Sequence, residues 1–188
     1  VSTALWVLVA VVGLLVVLGV MMIGVYNRLV SLRNRVREAW SQVDVQLRRR
    51  YDLIPNLVET VKGYAAHERE TLENVIKARQ MAIDASTVEE QQKAENFLTQ
   101  TLRSIFALAE AYPNLKADEN FRMLQEELAA TENKIAFARQ RYNALVQQYQ
   151  TLKQSFPANM IGGMWPDEQF FEVEEQTVRE APRVEFTR

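Results

Sequence analysis

The chain holds one histidine, His67, and Glu68 follows it. That pair begins the zinc helix motif His-Glu-x-x-His, which needs two imidazoles on one helix face to hold the metal and a carboxylate to act as base. No second histidine exists, so the motif is excluded and His67 reads as a surface or capping residue. The serines lack a Gly-x-Ser-x-Gly elbow, and without cysteine there is no thiolate nucleophile, disulfide or sulfur-ligated metal. Gly162-Gly163 follows no strand and precedes no lysine, which rules out a phosphate loop. The glutamate pairs Glu89-Glu90 and Glu126-Glu127 lie on helix surfaces, and no Glu-x-x-His repeat is present to build a carboxylate-bridged di-metal bundle. We therefore expect no enzymatic activity, no cofactor and no small-molecule substrate.

The run Arg48-Arg49-Arg50 is the remaining concentration of reactive charge. Successive residues turn by about 100° on a helix, so three adjacent arginines cover three faces and at least one must face the bundle or a partner. One reading pairs them with Asp44, Asp52 and nearby glutamates. The other makes them part of a partner-facing patch with Asp52, Asn56, Lys62, His67 and Glu68. A lipid patch on a straight rod fails on distance, because twenty residues of helix beyond Arg28 is about 30 Å, against a Debye length of about 8 Å; a bundle bent over onto the membrane would restore it. With 22 basic against 24 acidic residues and an isoelectric point near 5.6, overall charge gives no handle for nucleic acid.

The elements that position these residues fall into two solvents. Of the first 26 residues 21 are apolar, and apart from the Tyr26 phenol the first ionisable side chain is Arg28. About 20 apolar residues cross a hydrocarbon core of about 30 Å, with Trp6 and Tyr26 placed as aromatic anchors at the two interfaces. No basic n-region or small-residue cleavage site marks the segment as a cleaved signal, so an uncleaved anchor over 1–27 is expected. Arg28, Arg33, Arg35 and Arg37 follow the span with no charge before it, which predicts an outside N-terminus and a cytoplasmic body.

Between residues 27 and 154 stand one glycine, Gly63, and two prolines, Pro55 and Pro113, so the body reads as all-α. We expect the membrane helix to continue into an up-and-down antiparallel bundle over 28–154, with helices at about 28–52, 53–84, 87–112 and 119–154. Leu29, Leu32, Val36, Ala39, Val43 and Leu53 make the stripe of the first helix, with Trp40 and Leu47 widening it; Pro55 ends or kinks it, and Asp52 caps the next. Gly63 is a weak point that would permit close packing. Thr87 with Glu90 is a capping box, Pro113 stops the third helix, and Asp118 caps the fourth. That last helix repeats Phe121, Leu128, Ile135, Tyr142 and Tyr149 against Leu124, Thr131, Ala138, Leu145 and Leu152, a seam that also suits a coiled coil between chains.

Beyond Phe156-Pro157 a non-helical tail, 155–188, carries seven acidic residues after Trp165 against three arginines. Phe171-Glu172-Val173 and Val184-Glu185-Phe186 alternate as short strands do; a floppy acidic tail is the other reading. Trp165, Phe170, Phe171, Val184 and Phe186 are its candidate contacts. A lone membrane helix and such a tail are held to their ends only by neighbours, which leads us to expect a homo-oligomer.

Tyr26-Asn27-Arg28-Leu29-Val30, the long run from Val36-Arg37-Glu38-Ala39-Trp40 through Tyr51-Asp52-Leu53-Ile54-Pro55-Asn56-Leu57-Val58, and Val61-Lys62-Gly63-Tyr64-Ala65-Ala66-His67-Glu68 resemble the LemA family of bacterial membrane proteins. Ala109-Glu110-Ala111-Tyr112-Pro113-Asn114-Leu115-Lys116-Ala117 and Phe156-Pro157 extend the likeness over essentially the whole chain. Gly162-Gly163-Met164-Trp165 departs from the aliphatic and phenylalanine-rich run that such proteins tend to carry there. The resemblance implies a single-pass protein of the bacterial inner membrane with a helical bundle and no established activity. It also implies a scaffold or adaptor for protein partners, or alternatively a regulator or sensor subunit of an envelope protease or other membrane complex.

Overall fold

The computed structural model describes residues 2–172, which form six helices and no strand: α1 (Ser2–Tyr64), α2 (Arg69–Asp84), α3 (Val88–Ala111), α4 (Pro113–Ala117), α5 (Glu119–Gln154) and α6 (Asn159–Gly162). Val173, Val184 and Phe186 lie outside the described residues, and Phe171 and Glu172 are not in a strand. Two compact units result. Among the described residues, the first comprises 2–49 with 129–170, and the second Arg50–Leu128 with Phe171 and Glu172.

In the first unit, α1 enters as an exposed apolar helix and acquires a buried stripe only from Leu29 onward: Leu29, Leu32, Val36, Ala39, Val43 and Leu47. One helix is thus long and apolar enough to cross a membrane, with a mean hydropathy of 3.0 over its most apolar window. Thr131, Ile135, Tyr142, Val146 and Tyr149 of α5 are buried in the same unit. Trp40 meets Tyr142 with ring centroids 5.2 Å apart. Burial of each such large apolar side chain contributes about 1.5–3 kcal/mol. Val146 is buried where the strict heptad names Leu145, because an α-helix of 3.6 residues per turn drifts out of a seven-residue repeat.

In the second unit, α3 packs against α2 and α4, and the end of α1 bonds to α2 and α3. Thr87 and Glu90 form the expected capping box, the Glu90 amide donating to Thr87 Oγ1 at 3.1 Å and the Thr87 amide to the Glu90 carboxylate at 3.2 Å. Three hydrogen bonds from Ser86 and Thr87 hold the Glu90 carboxyl below its ordinary value, the Ser86 amide contributing most. Asp118 Oδ1 accepts from the Phe121 amide at 2.9 Å and so opens α5. Phe106 and Phe121 meet edge to face at 6.2 Å.

Two expectations are corrected here. Pro55 neither ends nor restarts a helix: α1 passes through it to Tyr64, and the break falls at the turn 65–68. Proline at 55 removes the amide that would bond the Tyr51 carbonyl, and Arg79 Nε of α2 supplies the missing donor at 2.8 Å. Asp52 is therefore an exposed mid-helix residue and caps nothing, and Ile54 replaces Leu53 as the fully buried side chain. Gly63 packs against nothing, since a Cβ built there meets no atom within 4 Å. It lies in the last turn of α1, where its low helix propensity weakens the helix.

Candidate partner surface at the corner of α1 and α2

Arg50 and Tyr51 turn into the second unit and meet α3. The Arg50 guanidinium donates to Glu95 Oε2 at 3.0 Å and to Thr99 Oγ1 at 2.9 Å, and Tyr51 OH donates to Glu95 Oε1. Gln91 closes the group, its Nε2 lying 2.7 Å from Tyr51 OH and 3.2 Å from both Glu95 Oε1 and the Ala82 carbonyl. Arg50 is 4% and Glu95 1% exposed. Desolvation pushes the Tyr51 phenol far up, with the Glu95 charge adding to the effect, so Tyr51 stays a neutral donor. Arg50 consequently belongs to the interior and leaves the expected partner patch. A charge buried this deeply holds only with its counter-ion and hydrogen bonds complete.

The corner itself is tied by two tyrosines. Tyr64 OH donates to Asp118 Oδ2 at 2.8 Å, and Tyr112 OH donates to Glu68 Oε1 at 3.2 Å. Asp118 thus serves α5 as cap and α1 as anchor, and its carboxyl sits below the ordinary range chiefly because the Phe121 amide donates to it. Glu68, expected on the partner patch, is half-buried in this tie.

Asp52, Asn56, Lys62 and His67 are exposed. Lys62 and Glu59 are a loose pair at 3.9 Å. Between α1 and α2 runs an open groove of about 470 Å³ with Val58, Leu72 and Ile76 as apolar lining and Glu59, Lys62, Arg69 and Glu73 among its charges. Ile76 is exposed, as is Tyr64.

Of the other described candidate residues, all but Phe171 lie in the first unit. Arg48 pairs with Asp44 at 2.9 Å on the surface and Arg49 is exposed. Trp6 and Arg28 are exposed. Tyr26 stacks edge to face on Trp165 at 5.4 Å, and Arg33 lies 6.0 Å from the Trp165 ring and 3.4 Å from Glu168. Phe170 is half-buried there, while Phe171 is fully buried in the second unit. A second groove, of about 350 Å³, is lined by Gln42, Gln46, Asn133, Lys134, Phe137, Ala138 and Arg141. Phe137 is 71% exposed in it, and Gln46 Oε1 is buried without a hydrogen-bond partner. Among the described residues no three histidine, aspartate or glutamate side chains gather as a metal set.

Sequence reasoning missed Glu95, Gln91, Thr99 and Arg79. A signal existed for the first two: Gln91 and Glu95 lie at i and i+4 on the apolar face that carries Ala94 and Leu98.

The model of the LemA family matches residues 39–186. The chain belongs to the LemA family. No curated protein matches it. The LemA match contains the α1–α2 corner, the Arg50–Glu95 pair and both grooves, and residues quoted in the separate family-like stretches meet in space: Glu68 of one bonds Tyr112 of another.

Proposed function

We propose that this LemA-family protein is a non-catalytic, membrane-anchored helical adaptor of the bacterial inner membrane, its N-terminus outside and its bundle in the cytoplasm. The α1–α2 groove is where it binds a protein partner. The observation that carries this reading is the groove's make-up: the exposed Ile76 side chain over a floor of buried Val58 and Leu72, set between charges of both signs at a corner stiffened by the Tyr64–Asp118 and Tyr112–Glu68 bonds. Apolar anchors within a charged rim are what a partner helix or peptide requires. The test places a photo-crosslinking residue at Ile76, Lys62 or Asn56 in the intact protein in cell membranes. A discrete cross-linked protein that disappears with Ile76→Glu is expected; no cross-link from any of the three positions overturns the reading.

Self-association is a second part of the proposal. Phe137 stands exposed in one groove of the first unit, and a second copy covering that groove would bury the ring.

A further inference from the structure

We propose that the loop from Ser155 to Trp165 is a second membrane-contacting element, which sets Phe156, Met160 and Met164 into the headgroup and upper acyl region of the bilayer beside α1. From Gln154 through Pro166, thirteen residues pass without a charge. Phe156 and Met164 are 77% and Met160 is 71% exposed, whereas Ala158 and Gly162 are buried. The loop therefore turns its small residues inward and its large apolar ones outward, the reverse of a loop made for water.

The loop is held where such side chains meet lipid. Its base is closed by Lys153 and Asp167 at 2.5 Å. Tyr149 OH donates to the Pro166 carbonyl at 2.9 Å. Gly162 sits so close to the last turn of α5 that a Cβ would lie 2.5 Å from the Lys153 carbonyl oxygen. At the other side, Trp165 rests on Tyr26, the aromatic residue at the end of the charge-free stretch of α1. Tyr and Trp are the side chains that favour the membrane–water boundary. Met22 and Val25 are half-buried although their neighbours Ile23 and Gly24 are exposed, so cover on α1 reaches above the first arginine into the apolar span.

Lipid also demands that backbone groups be satisfied within the protein. Five of the loop's amides bond within its own turns: Asn159 N to Ser155 O at 2.8 Å, and Met160 to Pro157, Ile161 to Ala158, Met164 to Ile161 and Trp165 to Gly162, each at 3.1 Å. Three large apolar side chains leaving water give the contact its drive.

The proposal rests on α1 crossing the bilayer, not on the adaptor reading. The native chain has no cysteine, so single cysteines can be placed in the full-length protein at Phe156, Met160 and Met164, with Val12 and Phe137 as references. Each carries an environment-sensitive fluorophore in vesicles of phosphatidylcholine and phosphatidylglycerol, with or without bromine on the acyl chains. We expect blue-shifted emission and several-fold stronger bromolipid quenching at 156, 160 and 164 than at 137, shallower than at 12. Quenching at 12 with none at 156, 160 and 164 overturns the loop proposal alone; none at 12 either overturns it together with the membrane span. Blue-shifted but unquenched labels, with disulfides forming between copies of Met160→Cys, also overturn it, by giving the loop a second copy as occupant.

Discussion

Arg79 Nε lies 2.8 Å from the backbone carbonyl of Tyr51, the oxygen that Pro55 leaves without its helical amide. A proline inside a helix costs about 3 kcal/mol or more when nothing compensates it. Here a guanidinium from α2 makes a charge-assisted bond to the bereaved carbonyl and binds α2 to α1 at the same time.

Arg79→Leu should therefore destabilise the second unit by about 1–3 kcal/mol, since it leaves a buried-side acceptor unpaired. Pro55→Ala restores the amide, and in the double variant most of that cost should vanish. Thermal melts followed by circular dichroism in detergent measure the cycle; strictly additive effects would sink the assignment.

Of the adjacent arginines, Arg50 and Arg48 should behave oppositely. Glu95→Leu strands the Arg50 charge in the interior and should cost about 3–5 kcal/mol. Asp44→Ala breaks the exposed pair with Arg48, which should cost no more than about 1 kcal/mol. Equal losses in denaturant titrations would contradict the burial of Arg50.

Gly162 and Gly163 are neighbours with different surroundings. Alanine at 162 drives a Cβ into the Lys153 carbonyl, while alanine at 163 meets nothing within 4 Å. Gly162→Ala should cost about 1–3 kcal/mol of overpacking strain and loosen Trp165 from Tyr26, whereas Gly163→Ala should be silent. Melting temperature and Trp165 emission, read in a protein whose Trp6 and Trp40 are replaced by Phe, separate the two; a silent Gly162→Ala refutes the close approach.

The caps set an acid limit. The carboxyls of Asp118 and Glu90 lie below their ordinary values of 3.8 and 4.5 in the folded protein. Their contribution is complete above the ordinary values and disappears as pH falls through the lower folded ones, so the loss belongs below pH 3.8 for Asp118. Asp118→Asn should flatten that part of the stability profile; an unchanged acid slope would remove Asp118 as a source.

Phe137→Glu tests self-association. Light scattering of the detergent-solubilised protein should show a smaller assembly than the parent without loss of helix. A parent that is already monomeric, or a variant of unchanged size, rejects the α1–α5 groove as a contact between copies.

The features legible in the sequence are those set within a few residues of chain. The apolar stretch ahead of Arg28 is one, and Thr87 with Glu90 is another, because a capping box closes over three residues. Asp118 as the cap of α5 and the stripe from Leu29 to Val43 follow from the same local rules. Of the candidate surface, Asp52, Asn56, Lys62 and His67 are exposed as read, while Arg50 and Glu68 are drawn into bonds with residues more than forty positions away.

What the sequence by itself determined is therefore the helical character of the body, its apolar lead segment and the caps at Thr87 and Asp118, each fixed by backbone propensity, hydropathy or a short-range hydrogen bond. Tertiary structure alone decided that Pro55 would be tolerated, that Arg50 and not Arg48 or Arg49 would be buried, and that Trp165 would stand on Tyr26. The physical reason is common to all three. The fate of an orphaned carbonyl, a charge or an exposed ring depends on what a distant segment brings within about 3–6 Å of it, and Arg79, Glu95 and the folded-back loop are those segments.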